Sequence, residues 1–207
     1  MSLIISEKTG GSFTPLPAGT HMAVCYMMVD EGTQYNENFK NFSHKIRIGW
    51  EVPGETVEVD GEQKPRVISK EYTASLSQKA NLRKDLESWR GKAFTPEELK
   101  HFDLKSIVGA PCMINVIHNE YNGNTYAKVS GVMAVPKGIP KPGLSEPPTV
   151  FELTDDTDFS DLPNLLPEWL EKIVKNSQEY LSTLSEPPVM DEDIPPEEQD
   201  ELDNIPF

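Results

Sequence analysis

Three short segments of the chain place cationic side chains at a spacing of two from another cation or an aromatic ring, the first of them without the ring. Lys45 and Arg47 alternate within FSHKIRIGWEV, Lys70 and Tyr72 within PRVISKEYT, and Tyr126 and Lys128 within TYAKVSGVMAV. Residues two apart in an extended strand project from the same face, so each pair is expected to share one surface. A cation beside a flat ring suits a polymer of phosphates and bases. The cation tracks the phosphate, and the ring stacks on a base for about 1–3 kcal/mol. Arg66 and Tyr26 would extend such a surface. Lys79, Arg83, Lys84, Arg90 and Lys92 form a second basic group, but Asp85 and Glu87 interrupt it, and a solvated helix face is the simpler reading.

Other chemistries find no support. The four histidines (His21, His44, His101, His118) and the carboxylates show no HExxH, no paired metal-ligand spacing, no GxSxG and no phosphate-cradling glycine loop. The expectation is a protein that is not an enzyme and uses no metal or cofactor. Cys25 and Cys112 each sit in an apolar run without a CxxC neighbour, which reads as two buried, reduced thiols.

The elements that would position these pairs are mainly strands. His21 to Val29 is an apolar run of large side chains. Phe42 to Val52 alternates, with Phe42, His44, Ile46, Ile48, Trp50 and Val52 on one side and Lys45 and Arg47 on the other. Parity places Trp50 in the core, although a bulge at Gly49 could turn it outward. Asp60-Gly61 marks a hairpin between residues 56–60 and 65–73. The period then changes: Leu82, Leu86 and Trp89 fall on one helical stripe, with Ser77 as cap and Gly91 as stop. Thr95-Pro96-Glu97-Glu98 predicts a short second helix to about Phe102. Strands return at 111–118 and 125–135 around Asn122-Gly123, with Ala127, Val129 and Met133 opposite Tyr126 and Lys128.

Past Val135 the text becomes PKGIPKPGLSEPP, and a domain boundary is expected there. The expected organisation is a β domain over 1–141, a Pro-rich acidic linker over 142–166, one amphipathic helix over 167–184 and a disordered acidic tail over 185–207. The helix stripe consists of Trp169, Leu170, Ile173, Val174, Tyr180, Leu181 and Leu184. Charge follows this division. Residues 1–141 hold 17 Lys and Arg against 16 Asp and Glu, a net of +1, whereas 142–207 hold 2 lysines against 18 acids, a net of -16. The near-neutral first part leaves room for local basic strips, and marked salt dependence of any phosphate contact is expected. The start lacks a basic region followed by a long apolar stretch, and no window approaches the roughly 18 apolar residues of a membrane span, so a cytoplasmic protein is expected.

The order β-β-β-α-β-β is that of the OB-fold, a five-stranded barrel with a helix between its third and fourth strands, whose open face commonly binds single-stranded nucleic acid. The last residues, LDNIPF after an acidic run, resemble the tail of bacterial single-stranded DNA-binding proteins. That resemblance implies a terminal Phe that enters an apolar pocket on a partner enzyme. The roles would fall on Phe207 and its α-carboxylate, on Ile205 and Pro206, and on Asp200, Glu201 and Asp203 for steering. Asn204 departs from the family's usual aspartate, and the opening strand motif of the bacterial housekeeping proteins is missing, so a phage-type member is the nearer expectation. Such a protein coats single-stranded DNA during replication and recombination and recruits enzymes through its tail, with homo-oligomers possible. The competing readings are a DNA-mimicking inhibitor, disfavoured because many of the acids lie in a Pro-rich segment, and a phage assembly protein with an unrelated barrel.

Overall fold

The apolar run from His21 to Val29 becomes the centre of a long strand because both of its faces are buried. The computed structural model describes residues 14–59 and 61–185. In it, β1 (Gly19–Asn36) pairs on one side with β2 (Asn41–Val59) from Val24 to Asn36, and on the other with β4 (Pro111–Tyr121) from Gly19 to Val24 and then, in parallel, with β6 (Thr149–Phe151). A register shift between Cys25 and Met27 inverts the alternation of β1. Ala23, Cys25 and Met28 therefore face one core, while Met27 and Val29 face a second.

The sheet runs β3-β2-β1-β4-β5, with β3 spanning Glu62–Thr73 and β5 spanning Asn124–Met133. Every neighbouring pair along that path is antiparallel. No ladder joins β3 to β5 among the described residues, so the sheet is open, although its two edge strands approach one another. The chain is mainly β, with one α-helix, α1 (Asn81–Arg90), between β3 and β4.

The first core lies between the sheet and α1. Ile46, Ile48, Trp50 and Val52 project into it from β2 and meet Leu82, Leu86 and Trp89 of α1. Trp50 is fully buried, 6.1 Å from Trp89 between ring centroids. Gly49 is not a bulge: β2 pairs with β3 without a break from Lys45 to Val52. It is a close approach instead, since a Cβ at Gly49 would lie 2.8 Å from Met27 Cε and 3.0 Å from Tyr26 Cε1. Helix α1 stops at Gly91 in the left-handed conformation (φ 68°), as the sequence predicts. Its N-cap is Ala80 rather than Ser77, and no side chain caps it. The capping box of Thr95 and Glu98 forms, with Thr95 Oγ1 accepting from Glu98 N at 3.2 Å and Glu98 accepting from Thr95 N at 2.9 Å. No helix forms over 95–102, and a short 3-10 helix (Leu104–Ile107) follows instead. The segment closes as turns because Phe94 and Phe102 fold together, 4.9 Å apart, over the Arg90 guanidinium.

The stretch expected as a linker is part of the fold. Beyond β6 come α2 (Leu162–Leu165), α3 (Glu168–Val174) and α4 (Gln178–Ser185), so the single helix expected over 167–184 is two helices broken at 175–177. Ser177 breaks it: buried, it accepts from Tyr180 N at 3.2 Å and starts α4. Phe151, Leu162, Leu166, Leu170 and Val174 pack on Met27 and Val29 as the second core. Ile173 and Tyr180 are half-buried, whereas Trp169, Leu181 and Leu184 of the expected stripe are exposed. Gly32, at φ 71°, lets this segment close on β1, since a Cβ there would stand 2.7 Å from Ser177 Cβ. Among the described residues no helix is long and apolar enough to cross a membrane.

Candidate nucleic-acid interface

Lys45 and Arg47 lie on the outer face of β2, as parity requires, but neither stands alone. Lys45 Nζ is 3.1 Å from Glu71, and Arg47 reaches Glu71 at 3.5 Å and Glu31 at 2.5 Å. Glu31 is fully buried, and burial raises its carboxyl above the usual range despite the opposing pull of Arg47; its Oε2 has no hydrogen-bond partner. The Arg47 guanidinium sits 5.3 Å from the ring centroid of Trp169.

Lys70 and Tyr72 do not share that surface. Register pairs them with Ile48 and Ile46, which puts them on the core side of the sheet. Tyr72 is 3% exposed, and its hydroxyl donates to Asp85 Oδ2 at 2.7 Å, an oxygen that Lys70 Nζ also reaches at 2.6 Å. Burial pushes the Tyr72 hydroxyl well above its ordinary range. These two residues fasten α1 to the sheet and offer no stacking platform. Tyr26 is corrected likewise: it packs half-buried against the second core, and burial raises its hydroxyl, with Glu51 and Cys25 adding to the shift. Arg66 is half-buried and donates to the carbonyls of Thr56 (3.3 Å) and Thr14 (2.5 Å).

Tyr126 and Lys128 are exposed on β5, opposite Asn119 and Ile117 of β4. Ala127 and Val129 face the core as expected. Met133 does not, because a register shift beside Asn115 inverts the strand end and buries Val132 instead.

Two hairpin tips, those of β1–β2 and β4–β5, carry aromatic surface. Tyr35 and Phe42 pair directly across the β1–β2 ladder with centroids 5.0 Å apart, and both are about half exposed. Phe39, at the turn itself, is 78% exposed and stands beside exposed Lys40. The Asn36 side chain fixes the turn by accepting from the amides of Asn38 (3.0 Å) and Phe39 (3.2 Å). At the β4–β5 turn, where Asn122 and Gly123 both take positive φ, Tyr121 is 68% exposed and Tyr126 stands nearby. Parity along β2 had placed Phe42 inside. The signal the sequence held was an aromatic on either side of an Asn-containing turn in YNENFKNF.

An open cleft of about 470 Å³ at the junction of β3 and α1 brings Lys45 and Lys70 together with Lys79, Ser75 and Ser77. Among the described residues no three His, Cys, Asp or Glu side chains gather as a metal site. Both thiols are buried, and burial pushes that of Cys25 up to about 12 and that of Cys112 higher still. Ile205, Pro206, Phe207, Asp200, Glu201 and Asp203 lie outside the described residues. Comparison with protein-family models finds no match along the chain, and comparison with curated proteins finds none similar to it.

Proposed function

We propose that this chain is a non-enzymatic single-stranded DNA-binding protein of the OB type, phage-encoded, that coats exposed strands and recruits replication or recombination enzymes through its acidic end. The observation that carries the reading is the exposed aromatic surface on two hairpins, Tyr35, Phe39 and Phe42 at one and Tyr121 and Tyr126 at the other, with Lys40 and Lys128 beside them. Phe39, 78% exposed, gains little from folding, whereas burying a Phe on a ligand is favourable by about 1.5–3 kcal/mol. In OB-folds the loops joining strands 1–2 and 4–5 are those that hold oligonucleotides. The strand order and the position of α1 match an OB barrel opened between its third and fifth strands. By the tail resemblance, Ile205, Pro206 and Phe207 enter the partner's pocket, and Asp200, Glu201 and Asp203 steer the approach.

The test is fluorescence anisotropy of labelled oligo-dT against a duplex of equal length. Intact protein is expected to favour the single strand. Replacing Tyr35, Phe39 and Tyr121 together by Ala removes at least two stacks and should weaken binding about thirtyfold or more. Equal affinity for duplex, or an unaffected triple variant, would overturn the reading. Deleting Ile205-Pro206-Phe207 should spare oligo-dT binding and abolish capture of the partner enzyme, and unchanged capture removes the recruiting role.

A further inference from the structure

We infer that Trp169 of the C-terminal segment is a base-stacking residue, presented on the outer face of β2 with Arg47 as its backing. The inference rests on the single-strand-binding reading. Helix α3 fixes the residue. Leu170 and Val174, four apart, are fully buried in the second core and set the helix rotation. Trp169, one position before Leu170, is therefore turned away from that core and comes to lie over Arg47.

The other two tryptophans are core residues, Trp50 fully buried and Trp89 7% exposed, whereas Trp169 is 47% exposed. Much of the largest apolar side chain is thus left in water, on an element with a core to bury it in. Arg47 does not wander beneath it, because Glu31 and Glu71 hold the guanidinium from two sides. A cation against one face of an indole and solvent on the other makes a fixed platform for a flat ligand. Lys45 is two residues from Arg47 on the same face, about 7 Å along the strand, and shares Glu71 with it. Already neutralised by Glu71, Lys45 borders the platform without acting as a free phosphate site. The acids of α3 do not oppose stacking there, since Glu168 pairs with Lys172 at 2.6 Å and Glu171 with Lys175 at 2.5 Å.

The experiment uses full-length protein, oligo-dT and two readouts. Because Trp50 and Trp89 are buried, a change of intrinsic tryptophan emission on adding oligo-dT reports Trp169. Quenching is expected in the intact protein and should vanish in Trp169→Phe. By anisotropy, Trp169→Ala should bind oligo-dT about five- to tenfold more weakly, as one lost stack requires, with Trp169→Phe intermediate and the thermal midpoint of Trp169→Phe unchanged. Should Trp169→Ala disturb folding, the quenching of the unmodified protein still decides. Anisotropy that shows binding while emission and the affinity of Trp169→Phe stay unchanged overturns the role of Trp169 and leaves the single-strand reading intact. No binding of oligo-dT at all defeats both.

Discussion

Replacing Leu170 by Ala tests whether the C-terminal segment and the sheet are one cooperative unit. Leu170 is fully buried among Met27, Val29, Phe151, Leu162, Leu166 and Val174. Three carbons lost at about 0.8 kcal/mol each remove roughly 2.4 kcal/mol of transfer energy. The cavity left behind brings the expected loss to about 3–4 kcal/mol, within the range for buried Leu→Ala changes. With a urea slope of about 2 kcal/mol/M, the midpoint should fall by about 1.5–2 M. Unfolding is followed by far-UV circular dichroism, which sees helices and strands, and, in a Trp169→Phe background, by the emission of buried Trp50 and Trp89 in the first core. Both probes should shift together, because β1 contributes to both cores. Leu184→Ala, at a residue 66% exposed, is the control and should stay within about 0.5 kcal/mol. A first-core transition left in place while an earlier, separate one appears would refute the coupling of segment and sheet.

Gly32→Ala should cost about 1–3 kcal/mol, because its Cβ would stand 2.7 Å from Ser177 Cβ at a positive φ. Hydrogen exchange should speed up in α4 more than in β4, and equal change in both would count against a seat for the segment at Gly32. Tyr72→Phe should lose about 0.5–1.5 kcal/mol with the bond to Asp85 and leave oligo-dT affinity unchanged; weaker binding would return Tyr72 to the interface. Glu31 has a folded pKa raised by burial, so its ionisation opposes folding as pH rises through that value. The stability of the intact protein relative to Glu31→Gln should therefore increase as pH falls from 7 towards about 4.5, and a difference flat with pH would sink that account.

Much of this architecture is legible where one local pattern suffices. Leu82, Leu86 and Trp89 share a helical period and all three are buried; Asn122-Gly123 sits at the turn between β4 and β5. Alternation also places Lys45 and Arg47 on the outer face of β2. It is ambiguous in β3, where Arg66, Ile68, Lys70 and Tyr72 oppose Val67, Ser69 and Glu71, and neither set is clearly apolar. Contact with Asp85 on α1, which no local pattern encodes, lets Lys70 and Tyr72 face the core. The second core escapes for a related reason. Phe151, Leu162 and Leu166 stand among Pro and acids, and the β1 face they bury lies more than 120 residues earlier. The break within 167–184 was readable in principle, since Asn176-Ser177 offers a cap where a continuous stripe was preferred.

The same pairing changes what salt should do to DNA binding. Marked salt dependence follows from Lys45, Arg47 and Lys70 only if they meet phosphate as uncompensated cations. Each is held by a carboxylate: Lys45 and Arg47 by Glu71, Arg47 also by Glu31, and Lys70 by Asp85. A phosphate approaching them meets a nearly neutral group and displaces few counterions. Lys40 beside Phe39, Lys79 in the cleft and Lys128 beside Tyr126 are exposed and make no ion pair among the described residues. At about 0.7 per phosphate for single strands, these three give a slope of log K against log salt of about -2. Affinity must then come mainly from stacking. Anisotropy with oligo-dT over a range of NaCl concentrations measures the slope. Replacing Lys40, Lys79 and Lys128 by Ala should bring it close to zero, whereas replacing Lys45, Arg47 and Lys70 should leave it nearly unchanged. A slope near -5 in the intact protein, or flattening by the second triple and not the first, would mean that the ion pairs open on binding and that the β2 and β3 cations, rather than the hairpin tips, carry the phosphates.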